Sequence, residues 1–166
     1  MLRTIACASL LVTAALTAAC DSSGLAIEVT ASTPAGVTLG PSARATVSVY
    51  GYDPLLADAP ASLITRQILP ATSAPLVLDV VLPADAVARI DQGAGPVSAE
   101  RARFYLAEVY VDVDSDLAIC DGDLEQDFTG FEFTSFDADG PTERITFALR
   151  VRDSGRCDVF PTTPTP

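Results

Sequence analysis

"ITFALRVR", residues 145–152, changes character at almost every step. Ile145, Phe147, Leu149 and Val151 fall on one side, and Thr146, Arg150 and Arg152 on the other. A period of two is what a β-strand shows when one face meets a core and the other meets water; a helix would repeat every 3.6 residues. The reading predicts a strand with the four apolar residues inward and Thr146, Arg150 and Arg152 outward.

The same period recurs along the chain. "LAIEVTAS" (25–32) sets Leu25, Ile27 and Val29 against Ala26, Glu28 and Thr30. "ARATVSVYG" (43–51) sets Ala45, Val47 and Val49 against Arg44, Thr46 and Ser48. "PLVLDVVLP" (75–83) places Leu76, Leu78, Val80 and Leu82 together. "FYLAEVYVD" (104–112) places Tyr105, Ala107, Val109 and Val111 on one side. Two weaker runs, "SLITRQIL" (62–69) and "FEFTSF" (131–136), bring the number to about seven. "PADAVARIDQ" (83–92) reads as a helical turn or a loop. Short alternating strands broken by Pro, Gly and Asp predict an all-β chain, an antiparallel β-sandwich of about seven strands in a single domain.

The start of the chain carries an address. "MLRTIACASLLVTAALTAAC" (1–20) has one Arg, then an apolar run from Ile5 to Ala19. That run is shorter than the roughly 20 residues a membrane span needs, and it reads as a secretory leader. "LTAAC" (16–20) resembles the lipobox of bacterial lipoproteins, in which small residues precede an invariant cysteine. The resemblance implies a signal peptide over 1–19 and a lipidated Cys20, anchoring the chain to a membrane of the bacterial envelope, inner or outer. "DSSG" (21–24) is a short tether, 25–160 the β-domain, and "PTTPTP" (161–166) a Pro/Thr-rich tail.

Composition narrows the function. The whole chain holds 22 acids and 10 bases, for a formal charge of −12, and every base is Arg. Loss of the leader would remove Arg3 and no acid. Such a surface lacks the basic patches that nucleic acid requires. With no His, no Lys and no Trp, a Ser-His-Asp triad and a His-based zinc site are both impossible. No phosphate-binding glycine motif is present. The expectation is a protein that works by binding and not by catalysis, with no resident cofactor unless the acidic segment takes calcium. With Cys7 in the leader and Cys20 lipidated, Cys120 and Cys157 remain, an even pair in an exported chain, and they are expected to form a disulfide.

"YVDVDSDLAICDGDLEQD" (110–127) holds seven acids and no base. Asp112, Asp114 and Asp116 sit at positions 1, 3 and 5 of an EF-hand-like loop and Asp123 at position 12. Position 6 is Leu117, where that loop takes Gly, and a strand leads in where a helix should. Two readings stand: a loose calcium loop formed by these four aspartates, or a solvated acidic turn with Asp121-Gly122 at its corner. If the strand from Phe104 ran on to Asp116, the aspartates would be spaced roughly 6.5–7 Å apart along one face, too far for one ion. The expectation is that the strand ends near Asp112–Asp114 and a solvated loop without a fixed metal follows.

"PSARATVSVYGYDPLLADAPASLITRQIL" (41–69), "PLVLDV" (75–80), "ARID" (88–91) and "ARFYLAEVYVDVD" (102–114) together resemble the YbaY/YscW-type lipoproteins. The residues that carry the likeness are Asp53, Asp58, Ala59, Pro60, Ala61, Ile64 and Gln67, then Pro75, then Tyr105, Leu106 and Ala107. It covers about half the chain. It implies a small periplasm-facing β-sandwich lipoprotein with an envelope protein as partner; YscW-like members act as pilotins for secretin subunits of type III secretion. The long acidic insert and the extra C-terminal strand with Cys157 depart from that pattern.

Overall fold

The computed structural model describes residues 26–56, 59–93, 95–127, 131–133 and 143–161. The readings that fall on Leu25, on Asp58, on 134–136 and on the tail 162–166 lie outside the described residues, as do the leader and Cys20.

The strands are β1 (Ala26–Ser32), β2 (Arg44–Tyr52), β3 (Ser62–Pro70), β4 (Leu76–Val81), β5 (Arg103–Asp112), β6 (Ala118–Ile119), β7 (Leu124–Gln126), β8 (Phe131–Phe133), β9 (Glu143–Val151) and β10 (Asp158–Val159). One sheet runs β3-β2-β5-β7-β9-β1-β4, with β8 added beside β5. The fold is all-β and a single domain. Its pairings are antiparallel except that of β1 with β9, which is parallel. A 3₁₀ turn, Ala86–Arg89, occupies the 83–92 segment.

The sheet curls into an open barrel, its two end strands facing each other. β3 and β4 form no ladder, and a single side chain bridges them. Gln67 donates from Nε2 to the Val81 carbonyl (2.5 Å) and accepts from the Val81 N–H at Oε1 (3.3 Å). The inner faces enclose one apolar cluster that includes Ile27, Val29, Val47, Ile64, Leu78, Phe104, Leu106 and Leu149. Gly51 lies in β2 because a Cβ there would come within 2.9 Å of both Ile64 and Ile90, so the strand tolerates no side chain at that point.

Two of the alternation readings need correction. In β5 the buried apolar residues are Phe104, Leu106, Val109 and Val111, whereas Tyr105 and Ala107 are only partly buried and off the core. The cause is a β-bulge. Ser48 pairs with Glu108 but Val49 pairs with Leu106, so Ala107 is an extra residue and the facing of the strand inverts across it. In β9 the alternation holds to Leu149 and then reverses. Val151 is exposed (43%) and Arg152, expected outward, is buried (5%). The strand ends at Val151, and Arg152 turns under the C-terminal segment.

That segment builds a second, smaller layer. β10 pairs with β6 as a two-stranded ribbon. Ile119 and Phe160 are buried yet stand apart from the main cluster. On one side of a narrow groove are Ile119, Asp158, Val159 and Pro161 of this ribbon; on the other are Arg66, Glu108 and Tyr110 of the outer sheet face, with Arg152 between.

Candidate functional site

The acidic turn begins where β5 stops, at Asp112. The chain then curls instead of extending. Ser115 and Leu117 both adopt left-handed backbone (φ 66° and 67°), a conformation that disfavours residues with a Cβ. Side chains hold it in place. Asp112, fully buried, accepts from the Ser115 N–H at Oδ1 (2.7 Å) and from the Leu117 N–H at Oδ2 (3.1 Å). Asp114 accepts from the Asp116 N–H (3.2 Å), and Asp116 from the Ala118 N–H (2.8 Å). Each aspartate thus closes a turn by hydrogen-bonding main chain a few residues on, as short acidic side chains do.

The curl brings carboxylate oxygens of Asp112, Asp114 and Asp116 within 4.8 Å of one another. Asp114 and Asp116 are exposed. Three carboxylates converging in this way offer the hard oxygen ligands that calcium favours. Asp123 does not join them. It is buried, and both oxygens serve the main chain: Oδ1 accepts from the Val113 N–H (2.8 Å) and Oδ2 from the Cys120 N–H (2.7 Å). Burial raises the Asp123 carboxyl above its ordinary value of 3.8, and the charges of Asp112 and Asp114 push the same way, while the two N–H bonds oppose them.

The turn is tied to the C-terminus on several levels. Cys120 and Cys157 are disulfide-bonded, with Cα atoms 4.2 Å apart, a little under the common range. Asp121 accepts from the N–H groups of Ser154 (2.8 Å) and Gly155 (3.0 Å). Gly122 carries the tight corner with φ 103°. The Phe160 N–H donates to the Leu117 carbonyl (3.1 Å). Beneath lies Arg152, whose guanidinium reaches Glu125 (3.5 Å), Asp158 and the Ser154 hydroxyl (3.0 Å).

On the outer face away from this turn, Tyr105 stacks on Tyr50 (ring centroids 5.8 Å) and meets Tyr52 edge-on (5.9 Å). Asp53 is buried against Arg101 (3.2 Å) and accepts from the Leu55 N–H (3.0 Å). Two residues matter here that the sequence did not single out for their roles: Arg152 and Gln67. Arg152 had a period-two signal, and it pointed outward. Gln67 belongs to the stretch that carries the family resemblance, but nothing in that stretch assigns it to a seam.

No family model matches the chain, and no curated protein matches it. Among solved structures, an alternative pilotin from the type II secretion system of Vibrio cholerae is similar, with 20% identity over 78% of this chain and 97% of that one and a TM-score of 0.46. A likeness at that level assigns no function.

Proposed function

We propose that the protein is a lipid-anchored accessory lipoprotein of the bacterial cell envelope that works by binding, in a chaperone-like role toward an envelope protein, and not by catalysis. The observation that carries this reading is the position of "LTAAC" relative to the fold. Cys20 lies six residues before β1 begins at Ala26. A fully extended chain covers at most about 3.3–3.6 Å per residue, so the barrel would be held close to the membrane surface. A disulfide-stapled domain suits an oxidising compartment. The acidic surface, the lack of His and Lys, and the resemblance to YbaY/YscW-type lipoproteins favour a protein-binding role. The test is fractionation of wild type and Cys20→Ser, followed by capture of partners from envelope extract with the lipidated form. A Cys20→Ser protein that stays with membranes like wild type would remove the basis of the proposal.

A second reading is a structural module stabilised by calcium. The convergence of Asp112, Asp114 and Asp116 favours it. A thermal melt in calcium against chelator decides: a calcium-dependent rise that vanishes in Asp114→Asn with Asp116→Asn supports this reading, and superimposable melts exclude it.

A further inference from the structure

The seam between β3 and β4 has a chemistry of its own. In an antiparallel pair, successive residues send their main-chain N–H and C=O groups alternately toward the partner strand and away from it. Val81 gives both groups to the Gln67 side chain, on the side away from β1. Parity then places the N–H and C=O of Asp79 and Val77 on that same free edge. Among the described residues no hydrogen bond reaches them there. Natural sheet edges are usually blunted by charge, proline or a covering element. This one shows Val77 (53% exposed), then Asp79, then Val81 (47% exposed) along its outer face.

Gln67 indicates what the edge accepts. A carboxamide is a peptide group in miniature, and Gln67 docks on Val81 as a neighbouring strand would, one donor to the carbonyl and one acceptor to the N–H. A glutamine side chain must span the gap, so β3 and β4 stand further apart than the roughly 4.7–4.9 Å of paired strands. We propose that the free edge of β4 is a strand-acceptor site, at which an extended segment of a partner protein pairs with Val77, Asp79 and Val81 and displaces the Gln67 amide. This deepens the proposed binding role and rests on it.

The side chains define the segment. Those lying beside Val81, Asp79 and Val77 should be apolar, basic and apolar in turn. Asp79 already neighbours Glu28 on β1, and Glu28 is engaged by Arg144 (2.6 Å), which leaves Asp79 as the acid facing the newcomer. Opposite charges side by side across strands stabilise a pair and like charges oppose it. The net negative charge of the protein also draws a basic segment in.

The probe is the peptide acetyl-Thr-Val-Thr-Arg-Thr-Val-Thr-amide, added to full-length protein in detergent, with residue-resolved hydrogen exchange as the readout. In free protein the Val77 and Asp79 amides should exchange fast and the Val81 amide slowly; in Gln67→Ala the Val81 amide should become fast. The peptide should slow all three, and should bind Gln67→Ala more tightly than wild type. N-methylation of the peptide at the N–H groups facing β4 should weaken binding by about tenfold, the value of a lost hydrogen bond or two. Asp79→Pro is the second variant: its lost N–H serves no ladder bond, so the protein should fold and fail to bind. Unchanged exchange at Val77 and Asp79 in saturating peptide, or equal binding by the N-methylated peptide, would overturn the proposal. Membrane attachment through Cys20 is scored separately, so failure at the seam is distinguishable from failure of the lipoprotein reading.

Discussion

The side chain of Gln126, on β7, repairs the bulge at Ala107 on β5. Its amide donates to the Ala107 carbonyl, and its oxygen accepts from the Val109 N–H. A bulge leaves main-chain groups without ladder partners, and here one carboxamide satisfies both a donor and an acceptor. Gln126→Leu should therefore destabilise the protein by about 1–3 kcal/mol, the cost of unsatisfied main-chain groups. Gln126→Glu retains the acceptor for Val109 but sets an oxygen against the Ala107 carbonyl, so it should not rescue. Urea denaturation measures both, and faster exchange of the Val109 amide would localise the loss.

Arg150 and Arg152 stand two residues apart and should behave differently. Arg150 is exposed and pairs with Glu125 at 2.8 Å; exposed pairs contribute about 0–1 kcal/mol. Arg152 is buried between Glu125 and Asp158. Removing a buried partner strands the charges it neutralised, at about 3–5 kcal/mol for a fully buried pair. Asp158 is half in water (56% exposed), so the lower end applies. Arg150→Ala should be near neutral and Arg152→Ala should lose about 3 kcal/mol; similar midpoints for the two would refute the buried role of Arg152.

These sites mark how far the sequence could be read. Strict alternation located β1, β2 and β4, because each presents one uninterrupted apolar face to the core, and it located β9 as far as Leu149. In β5 the same rule grouped Tyr105 and Ala107 with Val109 and Val111 on one side, since an inserted residue changes facing without leaving a mark in composition. Arg152 was misplaced because period-two reasoning presumes that the strand continues, and here it ends at Val151. The acidic turn was legible as a break near Asp112–Asp114, and the strand ends at Asp112. The curl of the turn was not legible, because left-handed Ser115 and Leu117 are fixed by carboxylates already placed in three dimensions and not by local preference. The roles of Gln67 and Gln126 depend on gaps that exist only once the sheet has curled.

Asp123 makes stability depend on pH in a defined direction. Its carboxyl is raised above 3.8 in the folded state, so the folded protein holds that proton more tightly than the unfolded chain. This contribution is fully present below the unfolded value and is lost as pH rises through the folded value, so burying the ionised carboxylate at neutral pH costs stability relative to acid. Asp114 adds to the cost through its charge. Asp114→Asn keeps an oxygen to accept from the Asp116 N–H while removing that charge. It should bring the Asp123 carboxyl down toward its ordinary value and stabilise the protein at pH 7 by roughly 0.5 kcal/mol, a surface-charge magnitude. The advantage should fade on acidification as the carboxylates protonate. Carbon-detected NMR titration of Asp123 in the two proteins, with melts at pH 4 and 7, tests both parts; an unmoved Asp123 titration would show that the two charges do not communicate.

Reduction of the Cys120–Cys157 bond should separate the two layers of the molecule. The bond closes a span of 37 residues, and chain entropy assigns such a link about 3–4 kcal/mol against the unfolded state. What it holds locally is narrower. Among the described residues β10 pairs only with β6, and the residues they bury, Ile119 and Phe160, lie outside the main cluster. The barrel strands have their own ladders and core, so losing the ribbon leaves them intact. The ribbon without its bond retains the Asp121 contacts to Ser154 and Gly155, the Arg152 pair with Asp158 and the Phe160 N–H bond to Leu117. Most of these involve exposed groups that exchange readily with water. In Cys120→Ser with Cys157→Ser, the amides of 118–119 and 158–160 should therefore lose protection first, while those of Val47, Leu106 and Val109 stay slow. Hydrogen exchange under native conditions reads this directly. Equal loss of protection in ribbon and barrel would mean that the two layers unfold as one unit, and that the bond stabilises the whole domain and not its C-terminal layer.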